Sequence, residues 1–128
     1  VVFMEEVVLM KDISKSELEI MKFLWKNGES TSIEIVENVS QKNEWKSNTI
    51  MTLVSRLVSK GIVEAKKSKG TLIKYKPIIT EYDYKTKETT NFIDKVYNGS
   101  IENMLVAFAK NKKLTKSDLE ELMKLIDE

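Results

Sequence analysis

The chain has 128 residues, 32% of them charged and 41% apolar, with a formal net charge of +1 and neither cysteine nor histidine. Disulfides, thiolate or imidazole metal sites, cysteine nucleophiles and histidine-based acid–base catalysis are thereby excluded, and the balance fits a folded cytoplasmic protein, not a disordered or membrane-embedded one. That length suffices for one modest core, or for a small core plus an appendage that needs a partner to cover its apolar face.

Composition leaves open a carboxylate-only metal site or a Ser/Lys nucleophile, but the sequence holds no glycine-rich phosphate loop and no strained nucleophile-turn motif. An enzyme, a metal site and a cofactor are therefore not expected. A net charge near zero decides nothing about nucleic acid, because cations can still be concentrated on one face.

Val1 to Met10 is apolar but interrupted by Glu5 and Glu6, and it lacks the basic flank and length of an export signal or a spanning segment. Val7 to Leu9 fits a short strand. Ser14-Lys15-Ser16-Glu17 forms a capping box, so a first helix is predicted over about residues 15 to 26, with Leu18, Ile20, Met21, Leu24 and Trp25 at helical spacing and Gly28 beyond its end. Thr31-Ser32-Ile33-Glu34 repeats the box and opens a short second helix whose stripe is Ile33, Val36 and Val39.

After polar Ser40 to Glu44, a third helix carries Ile50, Leu53, Val54, Leu57 and Val58 and stops at Gly61. Two β-rich runs follow, Ile62 to Ala65 and Thr71 to Tyr75, around the turn Lys66-Lys67-Ser68-Lys69-Gly70. Pro77, which cannot donate to a ladder, marks the end of this hairpin. Three short-linked helices and a hairpin read as a winged helix-turn-helix over residues 1–78.

Residues 79–128 read as a three-helix dimerisation domain. Tyr84, Phe92, Ile93, Val96 and Tyr97 define its first helix, Asn98-Gly99 the break, and Ile101, Met104, Leu105 and Phe108 the second. Thr115-Lys116-Ser117-Asp118 caps the third, with Leu119, Leu122, Met123 and Ile126. About fifty residues of amphipathic helix cannot cover their own stripes, so a second copy is expected to cover Phe92, Ile93, Val96, Tyr97, Met104, Leu105 and Phe108, together with the third helix's stripe. The fold class is thus mainly α with a small β wing.

In the third helix, Asn48, Thr52, Ser55 and Ser59 centre the face opposite the apolar one, with Thr49 and Arg56 on one flank and Met51 on the other. Ser47 stands at its start. Small hydrogen-bonding side chains and one arginine, with no acid from Lys46 through Val63, suit a major groove. The hairpin adds Lys60, Lys66, Lys67, Lys69, Lys74 and Lys76 against one acid, Glu64.

A basic hairpin alone is more often a solvated, aggregation-resistant edge, but directly after such a helix it points to phosphates, with Lys66, Lys67 and Lys69 as the contacts. Trp25 and Trp45 read as core residues and not as base-stacking platforms. The second reading of the whole is a winged helix serving as a protein-interaction module.

These residues carry a resemblance. Ile13-Ser14…Glu17-Leu18-Glu19-Ile20-Met21…Trp25, then Trp45…Thr49-Ile50…Thr52-Leu53…Arg56-Leu57…Lys60-Gly61, and then Asn91-Phe92-Ile93-Asp94-Lys95-Val96-Tyr97-Asn98-Gly99 resemble the penicillinase and methicillin-resistance repressors, the BlaI/MecI family of winged-helix regulators. The likeness spans nearly the whole chain after residue 12. It implies a homodimer with interlocked C-terminal helices, whose recognition helices read the two halves of a palindromic operator in double-stranded DNA near TACA and TGTA elements and occlude polymerase. It also implies release through a membrane metalloprotease sensor for β-lactams, whose pathway cuts the repressor in its C-terminal helices.

Lys46-Ser47-Asn48 stands where that family commonly shows Ser-Pro-Lys, and Met51 where arginine is common. Asn48 suits either pairing with adenine or capping the helix start. The family's scissile Asn-Phe bond aligns with Ala107-Phe108, and the cysteine cluster of copper-responsive relatives is absent, so the alternative within this resemblance is a regulator of a different operon with no proteolytic induction.

Overall fold

The computed structural model describes residues 12–127; the candidate strand at Val7 to Leu9 lies outside them. The chain divides into two units, Val1–Lys85 and Thr86–Glu128.

In the first unit, α1 (Lys15–Asn27) starts on the Ser14 capping box: the Glu17 amide donates to Ser14 Oγ at 3.1 Å and the Ser14 amide to Glu17 Oε1 at 2.8 Å. Gly28, at φ 78, ends the helix by donating its N–H to the Leu24 carbonyl at 2.7 Å. A two-residue strand β1 (Ser30–Thr31) follows, and Thr31 and Glu34 then cap α2 (Ser32–Asn43) reciprocally. The buried seam of α2 is Ile35 and Val39, with Val36 packed beside it, whereas Ile33 is 66% exposed. Ile33 was expected on that seam, but it precedes Ile35 by two residues, about 200° around the helix, and so faces outward.

The third helix, α3 (Ser47–Ser59), buries Ile50, Leu53, Val54 and Leu57 against Ile20, Met21 and Leu24 of α1 and the seam of α2. Strands β2 (Val63–Lys67) and β3 (Ile73–Pro77) form the hairpin and, with β1, an antiparallel sheet of order β1-β3-β2. Both hairpin strands are displaced toward the C-terminus from their predicted spans. Ile62 is fully buried and accepts from the Ile78 N–H at 2.9 Å, while the turn closes between the Ser68 N–H and the Leu72 carbonyl at 2.7 Å. Thr71 and Leu72 thus belong to the turn. Trp25 and Trp45 both pack against the core, and the Trp25 indole N–H donates to the Ile79 carbonyl at 2.9 Å beside the Tyr84 ring.

One charge pair braces this core. Glu17, 1% exposed, receives Lys60 Nζ at 2.6 Å, and the same ammonium donates to the Asp12 carbonyl at 2.8 Å. It ties the start of α1 to the residue that ends α3. Lys60, counted with the basic hairpin from the sequence, is therefore committed internally.

Helix α4 (Glu81–Tyr97) begins in the first unit and ends in the second, followed by α5 (Ile101–Lys110) and α6 (Lys116–Asp127). Asn98 and Gly99 take positive φ values of 51 and 83, and the Gly99 N–H donates to the Ile93 carbonyl at 3.0 Å, closing α4. Thr115 and Asp118 exchange the two bonds of a capping box at 2.9 and 3.1 Å. Ile93, 8% exposed, is the one buried apolar residue of this unit among the described residues.

Burial alone would raise the Glu17 carboxyl, but the Lys60 hydrogen bond, the Ser14 amide and the Lys60 charge outweigh it and hold the group below the ordinary carboxylate value. A carboxyl lowered in the folded state contributes stability above the ordinary range, and that contribution disappears as pH falls through the folded value. Urea titrations in acid should therefore show wild type losing stability more steeply than Glu17→Gln; equal steepness would remove the brace from the account. At neutral pH, Lys60→Met should lower stability by about 2 kcal/mol, less than for a wholly buried pair because the ammonium is partly solvated.

Candidate nucleic-acid interface

Burial of the apolar side of α3 leaves Ser47, Asn48, Thr49, Thr52, Ser55 and Arg56 exposed. Asn48, Thr49, Thr52 and Arg56, with the edge of Leu53, line one open groove along the helix. Ser55 falls nearly in line with Asn48, two turns on, and Ser47 opens the helix outside that groove. Lys46 occupies the N-cap position without any side-chain cap bond, so the first-turn amides remain available to an anion and no acid stands in that turn. Asn48 is accordingly not a cap, which leaves its amide free for an outside partner.

Thr52 behaves differently from its sequence appearance. Its hydroxyl donates to the Asn48 carbonyl at 2.8 Å, so the side chain can offer a partner only acceptor capacity and its methyl group. In a major groove those suit an exocyclic amino donor or a thymine methyl. Arg56 is the one cation of this groove, and its guanidinium fork can make a bidentate contact, as the Asn48 amide also can.

The strand register divides the wing lysines. Val63, nearly solvent-free, pairs with Pro77, Ala65 with Tyr75 and Lys67 with Ile73, so these share the face turned toward the core. Lys66 pairs with Lys74 and Glu64 with Lys76, which puts three lysines and one glutamate on the outer face. Lys69 sits in the turn and lines a second groove with Ser32, Thr71, Leu72 and Tyr75. Lys66, Lys67 and Lys69 are therefore not one cluster: they occupy the outer face, the inner face at the strand end, and the turn.

Charge counting included Lys74 but did not single it out, because only the register reveals that it stands directly opposite Lys66. Its field is partly met by Glu34, whose carboxyl is held low first by the Thr31 amide, then by the Thr31 hydroxyl, and to a smaller degree by Lys74. No group of three or more His, Cys, Asp or Glu side chains among the described residues could hold a metal ion, and no described helix is long and apolar enough to cross a membrane.

In the second unit, Phe92, Val96, Phe108, Leu119, Leu122, Met123 and Ile126 are exposed, and Tyr97, Met104 and Leu105 are half-buried. Ile93 points inward instead. Phe92 and Tyr97 meet edge to face at 5.9 Å. Ile101, Val106 and Leu125 extend the apolar surface beyond the residues singled out from sequence. Ala107 and Phe108 lie inside α5, and the Phe108 carbonyl accepts from Lys113 and Leu114 past its end.

A family model described as penicillinase repressor matches residues 13–128. The penicillinase repressor of Bacillus licheniformis is 33% identical over 116 residues, covering 91% of this chain and 90% of that protein. The methicillin resistance regulatory protein MecI of Mammaliicoccus sciuri is 31% identical over 116 residues, covering 91% and 94%. Two solved structures each cover 59% of this chain. The DNA-binding domain of the repressor BlaI is 37% identical with a TM-score of 0.51 over 94% of its length. The monomeric form of Bacillus licheniformis BlaI in complex with the blaP half-operator is 35% identical with a TM-score of 0.52 over 90% of its length.

Like charges directly opposite across a ladder are destabilising, so replacing Lys66 by threonine should stabilise the free protein by a few tenths of a kcal/mol. Thermal melts at low and high salt check this. The gain should shrink as salt screens the pair, and a loss of stability at low salt would contradict the register.

Proposed function

The chain belongs to the penicillinase repressor family, and from that premise we propose that it represses transcription as a homodimer, each protomer setting one α3 into one half of a palindromic operator. It is a DNA-binding regulator and not an enzyme. The observation that carries the reading is the acid-free polar face of α3, with Asn48, Thr49, Thr52 and Arg56 on one groove next to a lysine-bearing wing. The complex of a monomeric relative with a half-operator supports one half-site per protomer.

Within this reading Arg56 and Asn48 address base edges, Thr49 and Thr52 the groove wall and thymine methyls, and Ser47, Ser55, Lys66, Lys67 and Lys69 the flanking phosphates. The exposed apolar faces of α4, α5 and α6 are the dimer surface, with Ile93 supporting it from beneath. Linking two weak half-site contacts raises operator affinity without new contacts, so loss of the dimer releases DNA. Release by a sensor-directed cut at Ala107–Phe108 would require α5 to open first, because that bond is enclosed in helix. A repressor of this kind works in the cytoplasm, where its operator is.

Gel-shift titrations over a salt series test the DNA contacts. Affinity should fall steeply with salt, Lys69→Ala should flatten the log–log slope by about one unit, and Arg56→Ala should cost about 1–3 kcal/mol and relax preference at one base position. Salt-insensitive binding would contradict the assignment. Leu122→Glu tests the dimer: sedimentation should show a monomer, and affinity for the full operator should fall about 100-fold while half-operator affinity stays the same. A dimeric Leu122→Glu protein would move the interface elsewhere.

A further inference from the structure

A groove of about 280 Å³ runs between the later turns of α1 and of α2, and no residue of α3 or of the wing lines it. Its apolar floor is Phe23, half-buried, and Val39, nearly solvent-free. Three amides stand along its walls, each fixed by a bond from its own Nδ2 to a helix carbonyl: Asn27 to Phe23 at 2.9 Å, Asn38 to Glu34 at 2.8 Å and Asn43 to Val39 at 3.2 Å. One N–H of each is used this way. The second N–H and the amide oxygen remain for another partner.

The two ends of the groove differ in charge. At one, the Glu19 carboxylate is shared between Lys22 at 3.3 Å and Lys42 at 3.6 Å, so each cation there has an ion-pair partner. Lys26 lies seven residues beyond Glu19 on α1, about 10 Å along the axis. It lines the same groove and has no ion-pair partner among the described residues. A lysine in the last turn of a helix is ordinary, since it complements the dipole. That does not account for its lining a groove that also holds an aromatic and aliphatic floor and fixed amide groups.

The geometry points to a binding site for a small organic anion, with a carboxylate held by Lys26 and the free amide N–H groups of Asn27 and Asn38 and a flat apolar body laid on Phe23 and Val39. The groove lies at the small end of the range for ligand pockets, which suits an occupant of about one ring with a short acidic arm. A ligand with no apolar part, a polyanion included, is a poorer match, because it would leave that floor uncovered. The groove reaches Asn43, the last residue of α2, next to Glu44, whose left-handed conformation (φ 57) turns the chain toward α3.

Phenylacetate is a suitable probe, followed by amide NMR on the full-length labelled protein. Shifts should saturate and concentrate on residues 23, 26, 27, 38 and 39. Lys26→Glu should weaken binding at least tenfold while leaving the remaining spectrum and the probe-free operator affinity unchanged, which separates this site from the operator contacts. The neutral analogue phenylacetamide should bind at least tenfold more weakly. Shifts that rise linearly without saturating, that appear equally on the wing lysines, or that persist in Lys26→Glu would overturn the site. Poly-glutamate binding at this face in place of phenylacetate would also overturn it, in favour of an acidic protein surface.

Discussion

The orientation of α3 rests on the burial of four side chains, Ile50, Leu53, Val54 and Leu57, against α1 and α2. A helix has one side to bury, so committing these four inward dictates that Asn48, Thr52 and Ser55 point outward. Rolling α3 by one residue would expose at least one of the four at a cost of about 1.5–3 kcal/mol per side chain, and would bury a hydroxyl or an amide with no partner. The polar face is therefore held by the core and needs no stabilising contacts of its own. The Glu17–Lys60 pair acts on the same constraint from the other end, joining the residue after α3 to the first turn of α1. Helix position and helix roll are set by separate interactions, which suits a surface that has to meet a rigid partner.

The wing repeats that logic with the period of a strand. Once Val63 is drawn inward, alternation sends Lys66 to the outer face, and the register brings Lys74 and Lys76 there too. A hairpin optimised only for its own stability would not place Lys66 against Lys74. The central position of β3, flanked by β1 and β2, compensates by giving that strand two hydrogen-bonding neighbours. The lysines of β2 also guard an edge that would otherwise template pairing with another chain. Protection of the edge and attraction of phosphate are compatible uses of the same charges.

What the sequence discloses here divides by the range of the interaction. The capping boxes at Ser14, Thr31 and Thr115 each close within three residues, and all three are formed as read. The helix breaks at Gly28, Gly61 and Asn98-Gly99 are equally local, as is the apolar side of α3. Misreadings begin where a partner distant in sequence decides. Ile33 and Ile35 are both plausible seam residues until α1 and α3 are in place. Strand β1 is two residues with no period to detect, and it exists because Tyr75 and Lys74 offer it a ladder. Lys60 looks like a wing cation until Glu17, forty-three residues earlier, takes it up. The polar face of α3 is legible as a set, but the intrahelical commitment of the Thr52 hydroxyl depends on its rotamer and the separation of Lys66, Lys67 and Lys69 on the strand register.

The two units carry their stability differently, and that bears on how a repressor of this design can switch. The first has a contiguous core of buried side chains from α1, α2, α3 and the sheet. Among the described residues the second has one buried apolar side chain, Ile93, while Leu125 and Ile126 of α6 are 68% and 81% exposed. A segment with so little interior gains most of its order from whatever covers its apolar faces. On the proposed reading that cover is the partner protomer, so assembly and the folding of the second unit are one equilibrium. Breaking it leaves the first unit folded and still able to meet a half-site, only without the multiplied affinity of the pair. Repression is then lost through the arithmetic of linked weak contacts, with no damage to the surface that reads the operator.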